Sequence, residues 1–239
     1  LVVQETMDLV MTDSLGLKKE QVILVNQASY LDNVDTYLDE LRLRPEIIQV
    51  SSSYNVPGDK LINWGFGVEG KDNGFSINVN MTDETYLETM GHELVAGRFF
   101  SREFGAESDK VILNETAVRM YEIEDPVGTI TYLWGDPNRP MEVIGVVKDY
   151  HWESKHMEIR AHAFMHLDIL DWVEPNYISV RFAGADVEKV IGILEEGWNE
   201  QVASIPFEYE FLDEHYEGIY QNEKQTRALL YIFAIIAIF

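Results

Sequence analysis

Cysteine is absent from this chain, and the absence removes several functions at once. Disulfides, cysteine-based zinc sites and thiol nucleophiles are all excluded. Positive charge is scarce: 18 Lys and Arg stand against 42 Asp and Glu, a formal net charge of -24. Such a surface repels phosphate backbones and does not lie flat on anionic lipid, so nucleic acid is not an expected partner. Long apolar runs are missing too, with one exception at the end of the sequence. Ala228–Phe239 is unbroken apolar sequence. As a helix it would be about 18 Å long, short of the ~30 Å hydrocarbon core of a bilayer. It follows the very polar stretch 221–227, as in a helix passing from water into lipid. The reading preferred here is a truncated membrane span over 216–239; a buried core helix is the competing one.

What is present suits a large α/β domain. Hydrophobic residues make up 46% of the 239 residues, with 11 Phe, 12 Tyr and 5 Trp for a core. Near the start, Val3, Met7, Val10 and Met11 recur at helical spacing, and Gly16 is a good C-terminal cap. This predicts the end of a membrane-proximal helix over 1–16, so that both ends point at a membrane.

Two stretches share one plan. Val22–Val25 reads as a strand, Val34, Tyr37, Leu38 and Leu41 as one face of a helix capped by Asp32 or Asn33, and Ile47–Val50 as a second strand. Tyr177–Phe182 reads as a strand, Asp186 caps a helix carrying Val187, Val190, Ile191, Leu194 and Trp198, and Phe207–Phe211 alternates as a half-buried strand. Each is a β-α-β unit, and two such units make a ferredoxin-like layer. The sequence between them predicts a mainly β insertion. It includes strands at Phe75–Met81, Val111–Leu113, Ile130–Trp134, Met141–Val147 and Ala161–Leu167, and Asn114 is a helix cap.

The chemical motifs are weak. Gly65-Phe66-Gly67-Val68-Glu69-Gly70-Lys71-Asp72 spells a glycine-rich phosphate pattern. Alternating strand residues follow it, however, where a helix N-terminus is required. Asp72 occupies the place of the Mg²⁺-ligating hydroxyl, so the stretch reads as a glycine-rich hairpin or loop. His151, His156, His162 and His166 cluster with Asp149, Glu153 and Glu158. They lack a zinc-binding helical motif and read best as surface or partly buried histidines. No nucleophile elbow occurs, and among so many carboxylates a close pair has no specificity. No catalytic, cofactor-binding or metal-binding residue is assigned.

Several strings in order resemble one family. They are Tyr86–Phe100, Val111–Ala117, Asp125–Gly128, Val143–His151 and Pro206–Asp213, with a helix entered from Tyr216. Together they resemble the extracytoplasmic domain of MacB/FtsX-type ABC transporter permeases over nearly the whole chain. The resemblance implies an α+β fold: a porter lobe of two β-α-β units over 17–92 and 173–215, and an inserted, mainly β sabre lobe over 93–172. It implies membrane-entering helices at 1–16 and 216–239 and a place on the outer side of a bacterial inner membrane. The implied role is non-catalytic: transmission of motion driven by ATP hydrolysis in a separate cytoplasmic ABC ATPase. Implied partners are that ATPase, a second permease copy, the membrane, and a periplasmic adaptor or outer-membrane channel. No cofactor is implied. Gly97 and Gly145 would supply tight backbone geometry and Asn114 a helix cap. The alternative is a soluble extracytoplasmic sensor that binds a ligand or a metal.

Overall fold

The computed structural model describes residues 16–71, 74–153, 157–184, 186–202 and 204–218. The predicted helix over 1–16 (except Gly16) and the apolar run Ala228–Phe239 lie outside them. In chain order the elements are β1 (Val22–Asn26), α1 (Val34–Arg42), β2 (Ile47–Ser53), β3 (Ile62–Val68), β4 (Phe75–Thr82), α2 (Tyr86–Met90), β5 (Leu94–Gly97), β6 (Lys110–Asn114), α3 (Glu115–Met120), β7 (Ile130–Leu133), β8 (Pro140–Val147), β9 (His162–His166), β10 (Tyr177–Phe182), α4 (Val187–Gln201) and β11 (Tyr209–Phe211). Residues 212–218 are helical. No helix among the described residues is long and apolar enough to cross a membrane.

The first lobe is an open antiparallel sheet ordered β11-β1-β10-β2. β10 lies between β1 and β2, and β1 lies between β10 and β11, so both β-α-β units are split and interleaved. This is the ferredoxin-like arrangement that the repeated plan predicts. Asn33 caps α1 by accepting the Thr36 N–H at 2.9 Å, and Asp186 caps α4 by accepting the Lys189 N–H at 3.1 Å. Both helices bury one stripe against the sheet. Tyr37, Leu38 and Leu41 meet Val190, Leu194 and Trp198 over Ile23, Val25, Val50, Ile178 and Val180. Each fully buried aliphatic side chain there contributes about 1.5–3 kcal/mol. The buried Tyr37 hydroxyl donates to the Leu194 carbonyl at 2.8 Å, so its polar end is satisfied.

The second lobe is a closed ring of strands, β4-β3-β7-β8-β6-β9 and back to β4. The β4–β9 and β6–β8 pairs are parallel and the others antiparallel. Inside lie Phe66, Ile77, Val79, Met81, Val111, Leu113, Val143 and Met165. α3 and the turn after it add Ala117, Tyr121 and Ile123 to this core. β3 and β4 precede residue 93, the expected start of the sabre lobe, and pair into this ring. The reason is patterning: Ile77, Val79 and Met81 alternate toward the barrel interior. Among the described residues the β2–β4 ladder is a single pair, Ser53 and Thr82, flanked by the Tyr54 N–H to Met81 carbonyl and Asp83 N–H to Ser52 carbonyl bonds, and it joins the two sheets.

A third core fills the junction of the lobes. Val22 and Leu24 face away from the helices and meet Tyr86, Leu87 and Met90 of α2 and the barrel's outward residues Ile112, Ile144, Val147 and Phe164. Leu212 and Tyr216 of the last described helix enter the same cluster.

Candidate functional site

The glycine-rich stretch that suggested phosphate binding is strand. Gly65 and Gly67 lie within β3, and Gly67 pairs with Tyr132 of β7. With β4 paired antiparallel to β3 directly after it, the stretch is the first arm and turn of a hairpin, as expected. Gly67 also lacks room for a side chain, since a Cβ there would meet Tyr132 at 3.2 Å.

The histidines do not converge. Among the described residues, no group of three or more His, Cys, Asp or Glu side chains could hold a metal ion. His156 lies outside the described residues. His162 and His166 are the first and last residues of β9, and four residues along a strand separate their surroundings. His162 is buried in the junction, and His166 ends the strand at a polar cleft. The carboxylates read beside them serve the backbone: Asp149 accepts from the Thr116 N–H at 2.8 Å and from Asn114 Nδ2 at 3.0 Å, which fixes the start of α3. Asn114 caps that helix as expected, accepting from the Ala117 N–H at 3.0 Å.

What the structure does assemble is the junction itself, in two parts. One is an aromatic box. His92 and His162 are 6% and 3% exposed; His92 meets Tyr150 and Phe164 edge-on, and His162 stacks on Phe164 and tilts against Tyr150. Tyr86 and Trp152 complete the walls. The Tyr150 hydroxyl bonds His162 Nδ1, while His162 Nε2 and both ring nitrogens of His92 lack a partner among the described residues. Burial holds both imidazoles neutral, pushing His92 down to about 3 and His162 well below its ordinary value.

The other part is a polar cleft of about 470 Å³, lined from α1, the segment after β4, the loop before β6, the end of β9 and the approach to β10. Glu84 is the hub. Its carboxylate ion-pairs with Arg102 and lies 3.8 Å from His166 Nε2. Arg102 reaches on to Asp35 of α1 at 3.3 Å, and His166 Nδ1 lies 3.3 Å from Asp168. A chain of alternating charge thus spans from the open sheet's helix to the barrel's β9. Burial opposes the Glu84 charge, yet His166, backbone hydrogen bonding and Arg102 hold its carboxyl down to about 2. Burial likewise opposes a charged His166, but Glu84 and Asp168 raise it above the ordinary range. Neighbouring Asp83 is raised to about 6 by burial, and Glu84 adds to the rise. Its backbone and hydroxyl bonds from Ser52 and Thr85 work the other way. Beside them Arg98 clamps the buried Glu107 with two bonds, at 2.6 and 3.3 Å.

A third set of contacts ties in the last described helix. His215 bridges Asp59 at 3.2 Å and Glu210 at 3.1 Å, and the Tyr216 hydroxyl donates to the His151 and Glu153 carbonyls. Arg181 of β10 donates to the carbonyls of Thr89, Glu20 and Lys18, joining sheet, α2 and the first described segment. Sequence reasoning missed these pairs. Asp83 before α2 carried a local signal, an acidic residue placed to bond a helix start. Arg98–Glu107 and Asp35–Arg102 carried none, because their partners meet only in the fold.

Residues 5–197 match the family model of the MacB-like periplasmic core domain. This chain belongs to that family. No curated protein sequence matches the MacB-like chain. Its fold is similar to the periplasmic region of MacB from Actinobacillus actinomycetemcomitans, at 17% identity and TM-score 0.62, covering 85% of this chain and 94% of that one. It is also similar to the extracellular domain of the noncanonic ABC-type transporter YknZ from Gram-positive bacteria, at 16% identity and TM-score 0.56, covering 79% and 97%. The MacB-like domain therefore shares with both the α+β arrangement described above.

Proposed function

We propose that this domain is the extracytoplasmic part of an ABC transporter permease and acts without catalysis, passing motion from membrane helices to its outer lobe. The family match carries the assignment to a permease. The observation that supports transmission is the junction. Two separately cored lobes meet through one strand pair and a third core, and that third core also receives Leu212 and Tyr216. A displacement of the 212–218 helix reaches both lobes through the same side chains. On this reading β1, β2, β10, β11, α1 and α4 form the porter lobe, and the ring containing β3 and β4 forms the sabre lobe. The partners that the reading implies are a cytoplasmic ATPase, a second permease copy and the membrane.

These 239 residues contain no cysteine, so within this domain an introduced pair is the only one. Asp35→Cys and Arg102→Cys, introduced together in the full-length permease with its ATPase, place two thiols across the lobe boundary. A short bis-maleimide-type cross-linker, which alkylates both thiols and carries a disulfide spacer, should stop ATP-driven transport, and reduction of the spacer should restore it. A permease that runs at the uncross-linked rate while fully cross-linked would exclude relative motion of the lobes as part of the cycle.

A further inference from the structure

The aromatic box is costly, and its cost has a location. An unpartnered buried polar atom costs about 1–3 kcal/mol, whereas an apolar side chain of the same shape avoids that cost. His92 and His162 leave three ring nitrogens without partners inside a core of Tyr, Trp and Phe. Phenylalanine at 92 would avoid that cost outright, and at 162 it would do so only if the Tyr150 hydroxyl were removed with it. Departures of this kind from the consistency of a core mark function more often than stability. Neither the core under α1 and α4 nor the barrel interior includes a histidine among the described residues. The imidazoles sit only where the lobes meet and where Tyr216 enters.

We propose that the His92–His162 box is an acid-opened joint: a proton on either imidazole drives the barrel and the open sheet apart at the third core, while each lobe keeps its own fold. Aromatic side chains pack against both rings, and the described carboxylates that border the cavity at His162, Glu153 (paired with Arg160) and Glu158, form no ion pair with that ring. Facing the rings are Tyr86 from α2, Tyr150 and Trp152 from the segment after β8, and Phe164 from β9. The small cavity at His162 is lined further by His151, Glu153, Glu158, Arg160 and Asn114. Among the described residues no carboxylate ion-pairs with either ring. Asp149 is occupied by Asn114, Thr116 and Arg119, and Asp59 by His215. Solvent is the remaining stabiliser, and solvent reaches the rings only if the joint opens.

Proton linkage sets the size of the effect. A histidine held at about 3 in the closed joint and at about 6.5 in the open one favours opening about 25-fold between pH 7 and pH 5. Hydrogen exchange on the 239-residue chain, corrected for intrinsic rates, reads this directly. At pH 5 protection should fall at least that much in 86–92, 147–152 and 212–216. Residues 34–41 and 190–198, under the open sheet, should stay protected. H92F/H162F/Y150F, the last change removing the hydroxyl that H162F would orphan, should abolish the response and keep or raise protection at pH 7. Histidine ring NMR of the unaltered chain gives an answer even if that variant does not fold: both rings should stay neutral down to pH 5 in the closed form. The joint is overturned if the variant and the unaltered chain respond alike to acid, if either ring titrates near 6.5 without loss of protection, or if the lobe cores open at the same pH.

Discussion

Gly97 and Gly145 face each other across the β5–β8 ladder, and neither tolerates a side chain. A Cβ on Gly97 would lie 2.1 Å from the Ile144 carbonyl oxygen, and one on Gly145 would lie 2.3 Å from the Arg98 carbonyl oxygen. Gly97 also has φ +73°, the left-handed region that L side chains avoid. The close approach lets the Arg98 N–H reach the Ile144 carbonyl at 3.0 Å, and Arg98 then turns to clamp Glu107. Gly97→Ala and Gly145→Ala should each cost about 3 kcal/mol or more, combining backbone clash with, for Gly97, left-handed strain. Gly192 in α4 is the internal control: nothing lies within 4 Å of a Cβ there, so Gly192→Ala should stabilise by about 0.5–1 kcal/mol. Chemical denaturation of the three variants decides it; equal midpoints for Gly145→Ala and Gly192→Ala would contradict the geometry.

Asn114 does four things from one buried side chain. It accepts from the Ala117 and His162 N–H groups and donates to Asp149 and to the Arg160 carbonyl. Asn114→Ala removes a helix cap and orphans buried backbone groups, for an expected loss of about 2–4 kcal/mol. Asp149→Ala should cost less, because Asn114 still caps α3. The ordering of the two melting temperatures is the check.

Much of this was legible before the structure. The open sheet could be read because each of its helices repeats apolar residues at helical spacing and opens on an Asx cap. The tight glycines and the Asn114 cap could be read through the family resemblance. The barrel's membership could not. β3 contains Gly65 and Gly67, weak strand residues whose place is set by Tyr132 and Trp134 across the ladder rather than by their own propensity. The junction was illegible for a similar reason. His92, Tyr150 and His162 are distant in sequence and carry no motif, and nothing local distinguishes a histidine in a box from one in water.

The polar cleft holds two groups with opposite pH dependences: Glu84 weakens in acid, as the box does, and His166 weakens as pH rises. Glu84 is held at about 2, below the ordinary value of about 4.3 for a glutamate, so its ion pairs stabilise fully above about pH 4.3. That contribution fades as pH falls from there toward 2. His166 is raised, so its contribution is complete below about pH 6.5 and is lost as pH rises through its folded value. Glu84→Gln removes both effects. It should cost about 1–2 kcal/mol at pH 6, discounted for the exposure of Arg102. It should also shift the His166 titration downward in NMR. An unchanged His166 titration would show that Glu84 does not set its charge.

Trp134 occupies a position that suits asparagine. The Asp136 N–H bonds the Leu133 carbonyl at 3.0 Å, and the two central residues, Trp134 and Gly135, have φ of 57° and 70°. Positive φ at both centres defines a type I′ turn, which favours Asn-Gly. A bulky residue there carries left-handed strain of about 1–2 kcal/mol. The indole recovers part of it by packing edge-on to Trp64, at 5.7 Å between centroids, and beneath the Arg139 guanidinium at 4.7 Å. These contacts are half in solvent, since Trp134 is 44% exposed, and they return less than a buried pair would. Trp134→Asn should therefore leave stability unchanged or raise it by up to about 1 kcal/mol, whereas Trp134→Val, which keeps the strain and loses the ring, should lower it. Thermal melts of the two variants separate the turn from the ring: a larger loss for Asn than for Val would mean that the aromatic contacts, not the backbone, hold this hairpin.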